Sequence, residues 1–154
     1  MVKANVVLLG AGYPKDQKNF RIKLKRVLKS PTINPVTMET KMKQKDYESL
    51  VAEFNKIIDR YKEKIIVALF TKSGVHDAVY FELGFIAHKH GAKLKDMLLI
   101  LVDDRIKHKT ISRYLTRGLY LDAHINFFDN SKKSDPLDKP QNIIRQFIKK
   151  NNKK

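Results

Sequence analysis

Residues 64–77 read Lys64-Ile65-Ile66-Val67-Ala68-Leu69-Phe70-Thr71-Lys72-Ser73-Gly74-Val75-His76-Asp77. Six apolar residues in succession, with no helical spacing, predict a strand buried on both faces. The small and polar residues that follow are a loop. Upstream, Tyr47, Leu50, Val51, Phe54, Ile57, Ile58 and Tyr61 form one apolar stripe of an amphipathic helix, and Asp46 is placed to cap it. Downstream, Val79, Leu83, Ile86, Ala87 and His90 mark another helix, closed by Gly91. A doubly covered strand between two such helices calls for a parallel sheet with helices on both faces.

The same alternation continues towards both ends. Val6-Val7-Leu8-Leu9 is a short buried strand that stops at Gly10-Ala11-Gly12, and Phe20, Leu24, Val27 and Leu28 recur at helical spacing until Ser30-Pro31. Ile33 to Met38 is a weaker strand, and Pro35 within it assigns it to a sheet edge. Met97 to Val102 is another buried strand and Leu119 to Ile125 the last, with a short helix between them. Residues 129–140 are polar and carry two prolines, as a surface loop does. Ile143, Ile144, Phe147 and Ile148 form a final amphipathic helix, and residues 151–154 a frayed basic tail. No repeat is present, so residues 1–154 are expected to form a single α/β domain. The expected fold is a flavodoxin-like three-layer sandwich with a five-stranded parallel sheet in the order 2-1-3-4-5.

Composition narrows the function classes. The chain has 154 residues and no cysteine, which excludes disulfides, a thiol nucleophile and Cys-ligated metals. No apolar run has membrane-spanning length, and Met1 to Gly12 lacks a signal-peptide cleavage pattern, so a cytoplasmic location is expected. The formal net charge is +16, from 32 Lys and Arg against 16 Asp and Glu. Most of the cations are lysine and they run along the whole chain, which suits a solvated surface or attraction to phosphorylated small molecules. A nucleic-acid reading would rest on charge alone, without a helix-turn-helix or an RNP-like aromatic motif, and it ranks last.

In a sheet of this order, ligands bind beyond the carboxyl ends of the strands, where the strand order reverses between strands 1 and 3. Two loops meet that description, Gly10-Ala11-Gly12-Tyr13-Pro14 and Thr71 to Asp77. Gly10-x-Gly12 is half of a dinucleotide fingerprint, and a tight strand-to-helix turn explains it equally well. Tyr13 is exposed by its place in that turn, free to stack on a ring. Asp77 is placed to cap the third helix, which sets Glu82 in its second turn, flanking the buried stripe and followed by Leu83-Gly84-Phe85. An ordinary surface glutamate fits that position. So does a carboxylate at a cleft floor, able to act as a nucleophile or to stabilise an oxocarbenium-like sugar centre.

Ser73-Gly74, Asp77, Phe81-Glu82-Leu83-Gly84-Phe85-Ile86-Ala87 and Gly91 together resemble the nucleoside 2-deoxyribosyltransferase superfamily. In that family a Ser/Gly loop precedes a helix whose Glu is the nucleophile. Leu9 to Tyr13 is similar to its first-strand substrate loop, and Asp103-Asp104-Arg105 to its Asp-x-Arg after strand 4. The same helix resembles that of Toll/interleukin-receptor-like (TIR-like) domains, whose Glu cleaves the nicotinamide glycosidic bond of NAD. The segment from Gly74 to Glu82 is longer than in the transferases, and Val79-Tyr80 stands near where TIR-like domains carry Trp-Cys. The element common to both is a Glu on the third helix facing the strand-1 loop.

The resemblance implies an enzyme that cleaves or exchanges an N-glycosidic bond of a nucleoside or nucleotide, NAD among the candidates. Glu82 is the implied nucleophile. Gly10, Ala11, Gly12, Tyr13, Ser73, Gly74, Asp77, Phe85 and Asp103 are the implied substrate contacts, with Ser73 or Asp77 on the sugar and Tyr13 or Phe85 as a stacking wall. A homo-oligomer is implied by analogy with the transferases. The alternative is a non-catalytic nucleotide-binding or signalling module with the same cleft. No cofactor and no metal are expected: His88 and His90 point to different faces of one helix, and His76, His108 and His124 have no ligand-spaced neighbours. A phosphoacceptor receiver is excluded, since strand 1 ends in glycines and strand 3 in Thr71-Lys72-Ser73. Lys107 to Lys109, Arg113 and Arg117 form a basic region suited to a phosphate or to solvent.

Overall fold

A computed structural model describes residues 3–37, 47–61, 63–106, 124–129 and 135–152. The chain alternates β1 (Ala4–Gly10), α1 (Lys15–Leu28), β2 (Ile33–Thr37), α2 (Tyr47–Arg60), β3 (Lys64–Phe70), α3 (Asp77–His90), a short α4 (Leu94–Met97), β4 (Leu98–Asp103), β5 (His124–Phe128) and α5 (Asp138–Asn151). The five strands form one sheet in the order β2-β1-β3-β4-β5, and every pairing is parallel. This is the α/β, flavodoxin-like arrangement that the alternation predicts.

The strands read as continuous apolar runs because both faces are covered. Val7, Leu9, Ile66, Ala68, Phe70, Leu98, Ile100 and Val102 point to one face, against Phe54, Ile57 and Ile58 of α2 and Val79, Leu83 and Ile86 of α3. Val6, Leu8, Ile65, Val67, Leu69, Leu99 and Leu101 point to the other, against Leu24 and Leu28 of α1 and Ile144, Phe147 and Ile148 of α5. Each fully buried aliphatic side chain contributes roughly 1.5–3 kcal/mol, so a central strand such as β3 holds both layers at once. Pro35 pairs in register with Val6 on the edge strand β2, whose far side needs no ladder donor.

The structure departs from the expectation at several element boundaries and in the buried face of α1. Asp77 is the first residue of α3, and His76 holds the position before it. Asp77 therefore adds negative charge to the first turn rather than capping it. The helix closes at Gly91, whose φ of 48° is the left-handed conformation that glycine adopts without strain. β5 runs from His124 to Phe128, because Phe128 continues the apolar run and is itself buried. Residues 119–123 of the expected last strand lie outside the described residues. α5 starts at Asp138, within the stretch read as loop; Pro140 stands in its first turn, where no N–H is required. On α1, Val27 is exposed and Arg21 is buried, although Val27 was expected in the stripe. Asp46, Met38, residues 107–118, residues 130–134 and the last two lysines also lie outside the described residues. Among the described residues no helix is long and apolar enough to cross a membrane.

Candidate functional site

The loop after β1 and the loop after β3 leave the sheet side by side and are bonded to each other. The Val75 amide donates to the Tyr13 carbonyl at 3.0 Å, and the Gly74 amide turns back on the Thr71 carbonyl at 3.3 Å. Gly74 is required by this approach. A Cβ there would stand 2.8 Å from the Ala11 Cβ, 2.8 Å from Thr71 Oγ1 and 2.6 Å from His76 Nε2. Gly12, by contrast, has nothing within 4 Å of that position and faces open space.

His76 locks the second loop from inside. Its Nε2 accepts the Thr71 amide at 3.1 Å, and its ring lies 5.0 Å from that of Phe70. Burial lowers its pKa against the pull of Asp77, which favours the neutral imidazole that this acceptor role needs. The Thr71 hydroxyl donates to Oε1 of Gln17 on α1. One turn further along α1, Arg21 Nη1 donates to the Ala11 carbonyl at 3.0 Å. Arg21 is 4% exposed, and it sits where Gly10 has no side chain: a Cβ on Gly10 would meet Nη1 at 3.0 Å.

Glu82 stands in the second turn of α3, partly buried, as the helical wheel predicts. Burial pushes its carboxyl up to about 7, with the charge of Arg21 pulling the other way. Burial likewise lowers the Arg21 guanidinium to about 10, with Glu82 opposing. The two residues come from helices packed on opposite faces of the sheet.

Among the other expected site residues, Tyr13 is 72% exposed in the loop after β1, Ser73 is exposed in the loop after β3 and Asp77 is exposed at the start of α3. Phe85 is partly buried, its ring 5.0 Å from that of the exposed Phe81. Asp103, at the end of β4, is completely buried. Its carboxylate takes a fork from Arg105, with Nε on Oδ1 at 2.9 Å and Nη2 on Oδ2 at 2.6 Å, and the Arg105 amide at 3.0 Å. Burial alone would raise this carboxyl, but the Arg105 contacts and the Lys72 amide outweigh it and hold it below the ordinary range. Asp103 thus joins the end of β4 to the loop after β3 and leaves little capacity for a ligand. Among the described residues no group of three or more His, Asp or Glu is placed to hold a metal ion.

Arg21 and Gln17 were missed in the sequence, although a signal was there. Residues 17, 21, 24 and 28 follow the 4-3-4 spacing of one helix face, so both polar residues share the stripe of Leu24 and Leu28. A purely apolar template passes over them.

No family model matches the chain, and no curated protein matches it. Among solved structures, it is similar to a conserved protein from Enterococcus faecalis V583, with a TM-score of 0.60 and 11% identity over 94% of this chain and 99% of that one. At that identity the likeness concerns the fold alone, and it agrees with the parallel five-stranded architecture described above.

Proposed function

We propose that the protein cleaves or exchanges the N-glycosidic bond of a nucleoside or nucleotide, NAD among the candidates, with Glu82 as the nucleophile. The observation that carries this reading is a partly buried carboxyl, pushed up to about 7, in the second turn of the helix that follows the loop after β3, where the strand order reverses. Carboxyls with such shifts in clefts are expected at functional sites.

In the proposed reaction the Glu82 carboxylate attacks the anomeric carbon as the bond to the base breaks. The bonding pair leaves with the base nitrogen, which takes up a proton, and the sugar remains as a glycosyl ester on Glu82. Attack by water or by a second base releases the sugar and restores the carboxylate. Partial burial makes the anion poorly solvated and therefore more reactive than an exposed carboxylate. Tyr13, exposed in the loop after β1, suits stacking on the base, and Ser73 and Asp77 suit the sugar hydroxyls. The nucleophile must be ionised, so turnover should rise with pH through about 7.

The test is chromatography of NAD and common nucleosides and nucleotides after incubation with wild type and with Glu82→Gln. Free base released by the wild type alone supports the reading and names the substrate class. Turnover retained by folded Glu82→Gln, or no consumption of any compound by folded wild type, refutes it. Saturable binding without turnover would favour the silent binding module.

A further inference from the structure

The proposed reaction uses the carboxyl ends of the strands, and the opposite end of the sheet carries a second concave surface. β3 begins at Lys64, level with Asn5 of β1, whereas the first residue of β4, Leu98, pairs with Ile66. β1 and β3 therefore start before β4 does. Beside that step, bounded by the turn after α3, by α4 and by the end of α5, lies a cleft of about 920 Å³. That is room for a small organic molecule, near the upper end of the usual range for such sites.

Cations reach the cleft from three separate segments: Lys3 just before β1, Lys64 at the start of β3 and Lys93 in the turn after α3. Helix carboxyl ends attract cations, and that alone accounts for Lys64, whose Nζ donates to the Tyr61 carbonyl just past α2 at 2.9 Å. It does not account for the other two. The ends of α3 and α5 are closed by their own backbone, with the Gly91 amide on the Ala87 carbonyl and the Asn152 amide on that of Ile148 at 3.0 Å. Among the described residues neither Lys3 nor Lys93 has a hydrogen-bonded or ion-paired ammonium. Glu63 and Asp96 also line the cleft, so its three ammonium groups leave an excess of positive charge.

His90, the last residue of α3, lines the same cleft, and its Nε2 is buried with no hydrogen-bond partner among the described residues. Such an atom is costly to leave unbonded, and a bound ion or molecule is one of the ordinary reasons for it. Burial, and then the charges of Lys64, Lys89 and Lys93, lower the His90 pKa, with Asp59 opposing. Asp59 is itself paired with Lys89. Ala4, Ile65 and Met97 add an aliphatic surface that a bare inorganic ion has no use for. We propose that this cleft binds a small organic phosphate, its phosphate group held between Lys3 and Lys93 beside His90 and the rest of the molecule on the aliphatic surface. Lysine meets a phosphate as a compact point charge and needs no planar fork to do so. The site is separate from the reading of Glu82 and does not depend on it.

The experiment is calorimetric titration of the full chain with phenyl phosphate and glucose 6-phosphate, neither of which carries an N-glycosidic bond. Phenol, glucose and inorganic phosphate are the comparators. The His90 imidazole is followed by NMR in parallel, assigned by difference from His90→Gln. Saturable binding of at least one ester is expected, with phenol and glucose silent and inorganic phosphate about tenfold weaker or more. Lys3→Glu and Lys93→Glu, both at exposed positions, should each weaken binding about tenfold or more. Bound ester should raise the His90 midpoint, because an anion beside it favours the charged imidazole. Glu82→Gln should bind as wild type does. No saturable binding of either ester by folded wild type overturns the proposal, and so does affinity that neither lysine substitution changes. Binding lost in Glu82→Gln and kept in both lysine variants would place the phosphate at the other end of the sheet and overturn it too. Inorganic phosphate bound as tightly as the esters would overturn the assignment of an organic ligand.

Discussion

Asp103, at the end of β4, is fully buried, whereas Glu82, in the second turn of α3, is only partly so. Yet the Glu82 carboxyl is pushed up to about 7, and that of Asp103 is held below its ordinary range. The difference lies in what replaces the lost water. Asp103 accepts two guanidinium bonds and the Arg105 and Lys72 amides, all of which favour the anion. Glu82 has the field of Arg21, and among the described residues its carboxyl makes no such bonds. Burial by itself does not say whether an acid is structural or reactive. A satisfied carboxylate braces the fold, while one deprived of water and left with open acceptors is available for chemistry.

The sharpest way to break this comparison is to neutralise each acid in turn. Glu82→Gln should reduce base release on the order of 10³-fold or more, measured as product formed by folded protein. The same variant should be more stable than wild type at alkaline pH, by about 2–3 kcal/mol in urea unfolding. The sign follows from the raised value: Glu82 favours the folded state fully below its ordinary pKa of 4.5, and that advantage is lost as pH rises through about 7. At pH 4 the variant and the wild type should therefore be nearly equal.

Asp103→Asn should act in the opposite direction. Removing the charge leaves the Arg105 fork without its anion and costs about 2–4 kcal/mol at pH 7, with little effect on chemistry beyond the loosened loop. Because the folded carboxyl is held low, its contribution is full above the ordinary value of 3.8 and is lost as pH falls through the folded value. Opposite pH slopes for the two variants would sharpen the comparison, and parallel slopes would end it.

The two loop glycines give a smaller contrast. Gly74→Ala pushes a methyl group against Ala11, Thr71 and His76 and should destabilise by about 1–3 kcal/mol. Gly12→Ala meets open space and should stay within about 0.5 kcal/mol, read by the same urea titration. A large loss of activity in folded Gly12→Ala would mean that the open side of that loop is where the substrate lies.

Much of the architecture was legible because it depends on short-range pattern. The run Ile65 to Phe70 is apolar throughout because both layers pack on it, and that demand is written into six consecutive residues. Pro35 declared an edge strand through a missing donor. Glu82 was legible as a candidate because its distance from the Val79, Leu83 and Ile86 stripe is a matter of helical geometry. Asp77 was misplaced by one residue, since His76 is drawn inward to accept the Thr71 amide and the helix begins after it. Asp103 read as a ligand-facing acid, and its saturation by Arg105 and Lys72 emerges only once the loop after β3 is folded against β4.

The sequence by itself determined the alternation of strands and helices, the doubly covered sheet and the two loops that must lie at its open end. Local periodicity and glycine placement are enough for these. Tertiary structure decided which charges meet. Arg21 and Glu82 sit on helices packed to opposite faces, and no spacing within either helix announces the other. Burial and the opposing charge of Arg21 set the protonation of Glu82, and both arise only in the assembled fold.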